Sequence, residues 1–298
     1  MSNAEPRFGR LITAMVTPFN DDRELDLDRA QALATRLIEG GNDSLIINGT
    51  TGESPTVFYP QKIELFRAVV EAVGGKASVI ANVGDNCTAD TVNFAKDVAK
   101  LGVDGFMCVV PYYNKPPQEG MYQHFKTIAD AVELPIILYN IPGRCVVNME
   151  AETTLRLAND CENVIAVKEA SGKMDQIATI AAAAPEGFSV YSGDDSATYD
   201  IMRLGGAGVI STTGNVAPER MKELVTKCAE GKWDEAWAAH EALLPLMNGL
   251  FETSNPILVK EALKLVGFPV GGVRLPLIDA TAEQSARLAS IMREVGVL

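Results

Sequence analysis

Short apolar runs alternate with longer amphipathic ones along most of the chain, to about residue 215. The apolar runs are Leu11–Val16, Ser44–Asn48, Ala77–Asn82, Gly105–Val110, Pro135–Tyr139, Val164–Lys168, Phe188–Tyr191 and Gly208–Ser211. Their near-continuous hydrophobicity suits parallel strands buried on both faces. Between them, Leu27–Glu39, Pro60–Val73, Thr88–Lys100 and Gln118–Val132 carry apolar positions at helical spacing. Pro60 suits a first helical turn, and Gly40-Gly41 and Gly74-Gly75 stand where helices stop. Strand–helix alternation repeated eight times predicts an α/β fold, a (β/α)8 TIM barrel. After Ala217 the pattern turns helical, with runs near 218–229, 232–250, 255–266 and 281–296. The predicted organisation is a barrel over 1–216 that carries the active site, with a helical region over 217–298 packed on it. An open doubly wound sheet would carry a glycine-rich phosphate loop after an early strand. The chain has no G-x-G-x-x-G or Walker A pattern, and Gly205, Gly206 and Gly208 precede a strand.

Composition narrows the class. The 298 residues are 47% hydrophobic and 22% charged, ordinary for a globular chain with a sizeable core. A net charge of -13 argues against nucleic acid or an anionic membrane as partner. It leaves room for a local cationic pocket, to which Arg144 and Lys168 are the candidates. The five cysteines, Cys87, Cys108, Cys145, Cys161 and Cys228, form no C-x-x-C pair and read as free thiols of a cytoplasmic protein. Met1–Arg10 is polar and the apolar stretch from Leu11 stops at Pro18, unlike a signal peptide. Ser2-Asn3-Ala4 resembles an expression scar. No apolar run approaches the ~20 residues of a membrane helix.

In a barrel, chemistry sits at the carboxyl ends of the strands. The eight runs end, in order, at Thr17, at Asn48 followed by Gly49-Thr50-Thr51-Gly52-Glu53-Ser54, at Asn82, at Pro111-Tyr112-Tyr113-Asn114, at Tyr139-Asn140 before Pro142-Gly143-Arg144, at Lys168-Glu169, at Ser192-Gly193-Asp194-Asp195, and at Ser211-Thr212-Thr213. Nearly every run delivers a polar or aromatic group to one rim.

Lys168 follows Val164-Ile165-Ala166-Val167 and so leaves a buried strand. Apolar walls disfavour its charged form and free a neutral amine, which attacks a ketone or aldehyde to form a Schiff base. The plain alternative is a strand-end lysine that reaches solvent or pairs with Glu169. Tyr139 ends the neighbouring run, where a phenol in a hydrogen-bonded relay moves protons; a core tyrosine is the plain alternative. Thr50 and Thr51 lie between Gly49 and Gly52, which free the backbone for close approach, so hydroxyls and N–H groups there suit a carboxylate. Otherwise they are turn or cap residues. Arg144 suits a second carboxylate through its two-pronged geometry, or is a surface arginine. The two histidines, His124 and His240, fall in predicted helices without ligand spacing, so no metal site is read. Asp194-Asp195 read as helix caps.

The motifs Gly49-Thr50-Thr51-Gly52-Glu53-Ser54, Pro111-Tyr112-Tyr113-Asn114-Lys115-Pro116, Tyr139-Asn140-Ile141-Pro142-Gly143-Arg144, Val167-Lys168-Glu169-Ala170-Ser171-Gly172, Ser192-Gly193-Asp194-Asp195 and Ser254-Asn255-Pro256-Ile257-Leu258-Val259-Lys260 resemble those of the dihydrodipicolinate synthase family of class I, pyruvate-dependent aldolases. The resemblance runs nearly the whole chain. It implies a lyase that condenses pyruvate with L-aspartate 4-semialdehyde, giving 4-hydroxy-tetrahydrodipicolinate in the diaminopimelate route to lysine, with no cofactor. It also implies roles. Lys168 would form the imine. Thr50, Tyr139 and Tyr113 would relay protons, Tyr113 coming from a neighbouring subunit of a homotetramer built as a dimer of dimers. Thr51 would hold the pyruvate carboxylate, Arg144 would receive that of the semialdehyde, and Gly193 and Ile210 would line the site through backbone groups.

One departure concerns regulation. Lysine-inhibited members of the family offer a His or Glu to the effector's amino group from the helix after the GTTGE loop, where this chain has Tyr59 and Lys62. A cation facing a cationic ligand repels it by roughly 1 kcal/mol, although Asn86, Asp90 and Tyr112 still match. Weak feedback by L-lysine is the expectation. Two other readings stay open: imine chemistry on another aldehyde, such as a sugar acid or hydroxy-oxo acid, and a non-catalytic barrel that senses a keto acid. Arg144 disfavours a neutral sugar acceptor, and a sensor has no need of a proton relay.

Overall fold

The computed structural model describes residues 5–298; the Ser2-Asn3-Ala4 opening lies outside them. Eight parallel strands close into a barrel in sequence order: β1 (Leu11–Ala14), β2 (Ser44–Ile47), β3 (Ser78–Asn82), β4 (Gly105–Val109), β5 (Ile136–Asn140), β6 (Val164–Glu169), β7 (Ser189–Ser192) and β8 (Gly208–Ser211). β8 returns to β1 with Val209 beside Leu11 and Ser211 beside Thr13. Each strand lies within two residues of its predicted run. The helices that follow are α1 (Leu27–Glu39), α2 (Tyr59–Val73), α3 (Thr88–Val98), α4 (Gln118–Ala131), α5 (Ala151–Asp160), α6 (Met174–Ala183), α7 (Thr198–Arg203) and α8 (Pro218–Ala229). The chain ends in α9 (Trp233–Gly249), α10 (Ile257–Leu265) and α11 (Ala282–Glu294).

Local chemistry sets the helix ends. Asp26 caps α1 by accepting from the Arg29 N–H. Thr281 and Gln284 form a reciprocal capping box on α11. The predicted end of α3 at Lys100 frays instead into a 3₁₀ turn, Ala99–Leu101, that stops at Gly102 with φ +83°. That left-handed conformation favours glycine.

Two apolar layers result from strand alternation. Ile12, Ile46, Ile80, Met107, Ile137, Ala166 and Ile210 fill the barrel interior, while a larger layer lies between the strands and the surrounding helices. The amino-terminal end of the barrel is plugged. Phe8 packs into the interior cluster, and the Tyr191 hydroxyl donates to the Gly9 carbonyl at 2.8 Å. The open end is therefore the carboxyl end. The outer layer continues through Leu243, Leu246, Leu258 and Leu288 of the carboxyl-terminal helices. We propose that the segment beyond residue 216 is an extension of the barrel body rather than a unit with its own core. Among the described residues no helix is long and apolar enough to cross a membrane.

Candidate active site

Alternation along β5 and β6 decides which side chains meet. Ile137 and Tyr139 face inward with Ala166, while Leu138 and Val167 face the helices. Lys168 stands two residues on from Ala166 and so faces inward too. It pairs in register with Tyr139 on one side and Tyr191 on the other. Its ammonium nitrogen lies 4.3 Å from the centre of the Tyr139 ring. Lys168 is 5% exposed and enters no ion pair among the described residues. Burial lowers its pKa to about 8 against the pull of the Asp195 carboxylate, and the Arg144 guanidinium adds to the lowering. Glu169 faces the other way, where its carboxylate accepts from Asn140 Nδ2 at 2.9 Å and Gln176 Nε2 at 2.8 Å. Lys168 therefore neither reaches solvent nor pairs with its neighbour.

Burial raises the Tyr139 phenol to about 12, while the Arg144 guanidinium and the Thr50 hydroxyl pull it down. A phenol that stays protonated at neutral pH moves protons only by concerted exchange with hydrogen-bonded neighbours. Lys168, Tyr139, Thr50 and Arg144 thus share one electrostatic neighbourhood at the barrel mouth.

The loop after β2 is compact. Ser54 N–H donates to Gly49 C=O at 3.2 Å and Glu53 N–H to Thr50 C=O at 3.1 Å. A Cβ at Gly52 would stand 3.0 Å from the Asn48 Cα, so a side chain there would crowd the backbone. The carboxyl-terminal region holds this loop from behind. Asn255 Nδ2 donates to Thr51 Oγ1 at 2.8 Å. Glu53, at φ +55°, sends its carboxylate to the Lys260 ammonium, 2.6 Å away, with both side chains 2% exposed. Lys260 also donates to Gly272 C=O, and Arg274 N–H donates to the other Glu53 oxygen at 2.9 Å. Burial pulls Lys260 down to about 8 despite Glu53.

Tyr113 is not brought to Lys168 in the single chain. Its side chain is 88% exposed and its φ is +71°. Asn114 N–H donates across it to Tyr112 C=O at 2.8 Å, a tight and unfavourable turn for a bulky residue. Arg144 sits on a single helical turn, Pro142–Cys145, just past β5. Ile210 lines the barrel interior from β8. Gly193 touches the site directly: a Cβ there would lie 2.7 Å from Ala170 Cβ and 3.1 Å from Lys168 Cγ.

Residues 7–295 match the profile described as the dihydrodipicolinate synthetase family. The chain belongs to that family. A 4-hydroxy-tetrahydrodipicolinate synthase from Moorella thermoacetica is 53% identical over 292 residues, 98% of this chain and 100% of that protein. A crystal structure of dihydrodipicolinate synthase from Cyanidioschyzon merolae with lysine bound superposes with a TM-score of 0.97 at 45% identity, covering 99% of this chain and 100% of that one. A monomeric dihydrodipicolinate synthase variant superposes with a TM-score of 0.95 at 42% identity, covering 97% of each chain.

Against this dihydrodipicolinate synthetase frame, sequence reasoning missed several residues around the mouth. Asp194 caps a 3₁₀ turn, as expected, by accepting from Ser196 N–H. Asp195 does something else. It is 2% exposed, and one of its oxygens accepts from Thr212 N–H, Thr213 N–H and Thr213 Oγ1. Its charge is felt at Lys168. Asn255 and the Glu53–Lys260 pair were visible only as parts of matching motifs. A lone lysine after Ile257-Leu258-Val259 was the available signal. His124 and His240 lie inside α4 and α9, 5% and 4% exposed, and His124 Nδ1 meets Thr88 Oγ1 at 2.9 Å. Among the described residues no group of three His, Cys, Asp or Glu could hold a metal ion, and the five cysteines are free.

The crowding at Gly193 gives a direct expectation. Gly193→Ala forces Lys168 or Ala170 to shift, at roughly 1–3 kcal/mol of overpacking. Pyruvate capture should slow more than stability falls; a folded variant that traps pyruvate at the wild-type rate would contradict this placement.

Proposed function

We propose that the chain condenses pyruvate with L-aspartate 4-semialdehyde to give 4-hydroxy-tetrahydrodipicolinate, acting as a lyase through a Schiff base on Lys168. The observation that carries the reading is the buried, unpaired amine of Lys168, pKa near 8, against the Tyr139 ring in a chain of this family. The neutral amine adds to the pyruvate ketone, and loss of water leaves the imine. Loss of a proton from the pyruvate methyl group gives an enamine, whose carbon attacks the aldehyde. The substrate's own amine then closes the ring on the imine carbon and releases Lys168. Tyr139, Thr50 and Tyr113 move the protons, Thr51 holds the pyruvate carboxylate, Arg144 takes the second carboxylate, and Gly193 and Ile210 shape the wall. We place the enzyme in the cytoplasm, as a homotetramer in which Tyr113 crosses to a neighbouring site.

The test mixes pure protein with both substrates and follows product through a coupled reductase. Turnover lost in Lys168→Ala supports the reading. No turnover, with a borohydride-trapped pyruvate adduct on Lys168, moves it to another aldehyde; no adduct leaves a keto-acid sensor. Full activity of Arg144→Ala on the semialdehyde would also favour a different acceptor.

Regulation follows from a cavity of about 310 Å³ lined by Ser54, Tyr59, Lys62, Asp85, Asp90 and Phe94, among others. Tyr59 is occupied, its hydroxyl donating to Asp97 at 2.7 Å. The Lys62 ammonium lies 5.6 Å from the Phe94 ring centre, and burial lowers its pKa. A cation on this wall opposes the amino groups of L-lysine. Half-inhibition should therefore need millimolar L-lysine or more, and Lys62→Glu should lower that concentration. Strong inhibition of the unmodified enzyme below millimolar L-lysine would reject this expectation.

A further inference from the structure

We propose that Asn255 is a positioning residue that fixes the polarity of the Thr51 hydroxyl, so that Thr51 gives its proton to the bound keto acid's carboxylate. The inference rests on the reading that Thr51 holds that carboxylate.

A threonine hydroxyl has one proton to donate and lone pairs to accept with. Asn255 Nδ2 donates to Thr51 Oγ1 at 2.8 Å, and both side chains are buried, at 6% and 3% exposed. With a lone pair taken from behind, the hydroxyl proton is left for another acceptor. Hydrogen bonds to a charged acceptor are stronger than neutral ones, so an anion at the mouth is the preferred recipient. The amide oxygen, Asn255 Oδ1, is buried with no hydrogen-bond partner among the described residues. Such an atom carries a desolvation cost that packing alone does not explain. The segment that carries Asn255 is anchored a few residues on by the Glu53–Lys260 pair, which holds the same loop. Two contacts from one segment therefore set the loop, and only the one from Asn255 reaches a group assigned to substrate. The opposite amide orientation would make Thr51 donate to Asn255 and leave it nothing to offer an anion.

Asn255→Asp imposes that opposite arrangement at nearly constant size. The readout is the pyruvate concentration giving half-maximal borohydride trapping on Lys168, which needs no second substrate. The expected result is a rise of about 10–100-fold, the worth of one hydrogen bond to a charged group. KM for the semialdehyde and the pH midpoint of trapping should stay at wild-type values. A double-mutant cycle keeps the test open if the aspartate variant does not fold. In a Thr51→Val background, Asn255→Ala should change half-saturation by less than about twofold, because the hydroxyl it acts through is gone. A folded Asn255→Asp with wild-type half-saturation, or multiplying effects in the cycle, would overturn the proposal. If Thr51→Val alone leaves half-saturation unchanged, the assignment of Thr51 fails and this inference falls with it. If the unmodified chain traps no pyruvate at all, the imine reading itself is wrong.

Discussion

Lys168→Ala should lower turnover on the order of 10⁴-fold or more, the scale on which loss of a covalent nucleophile acts, and should remove all borohydride-trapped pyruvate. The size follows from the surroundings. The amine sits among apolar walls with its pKa near 8, so a sizeable neutral fraction exists at physiological pH, where an exposed lysine would have very little. The sign of the pH dependence follows as well. Below about pH 8 the amine carries a proton and cannot attack, so in the wild type the trapping rate should fall toward acid and level off above the midpoint. A midpoint near 10 would mean that Lys168 is not desolvated as described. Residual activity in Lys168→Ala within tenfold of wild type would end the covalent reading.

Tyr113→Phe should cut turnover by about 10²–10⁴ while barely altering pyruvate binding, since only the relayed proton is lost. Its exposed, left-handed position predicts more than a rate. A side chain 88% exposed and four residues past the end of β4 is not buried in a site of its own chain. If it completes a neighbour's site, Lys168→Ala and Tyr113→Phe chains, each nearly inactive alone, should regain activity when refolded together. Random pairing in a symmetric dimer puts one intact site in each mixed pair, so about a quarter of wild-type activity is expected. No recovery in a mixture shown to contain mixed pairs would confine Tyr113 to its own chain or remove it from the relay.

How far the sequence carried these assignments depended on the kind of residue. The strands were legible because parallel strands covered on both faces must be apolar throughout, and breaks in such runs are easy to see. Lys168 stood out as a cation directly after the apolar run Val164-Ile165-Ala166-Val167. Tyr139 followed from its place at the end of β5, and Arg144 from its place just after that strand. Asp195 was harder, since two adjacent acids after a strand look alike in a sequence although one caps a turn and the other is buried against the turn that follows β8. Asn255 was hardest. Its partner lies 204 residues away, and nothing in helical spacing or composition marks such a contact. The α3 terminus drifted for a smaller reason, because a 3₁₀ turn has the same apolar pattern as one more turn of α-helix.

The anchoring of the GTTGE loop from the far end of the chain sets an order of assembly. Synthesis runs from the amino terminus, and the first parts made begin folding while later ones are still on the ribosome. Lys168 leaves the ribosome well before Asn255 and Lys260. A nascent barrel therefore carries the Lys168 amine while the loop proposed to seat the keto acid's carboxylate still lacks its carboxyl-terminal anchors. A message cut short before the codon for Asn255 would yield a chain that keeps Lys168 but lacks both of these contacts to the loop, and such a chain should capture pyruvate poorly.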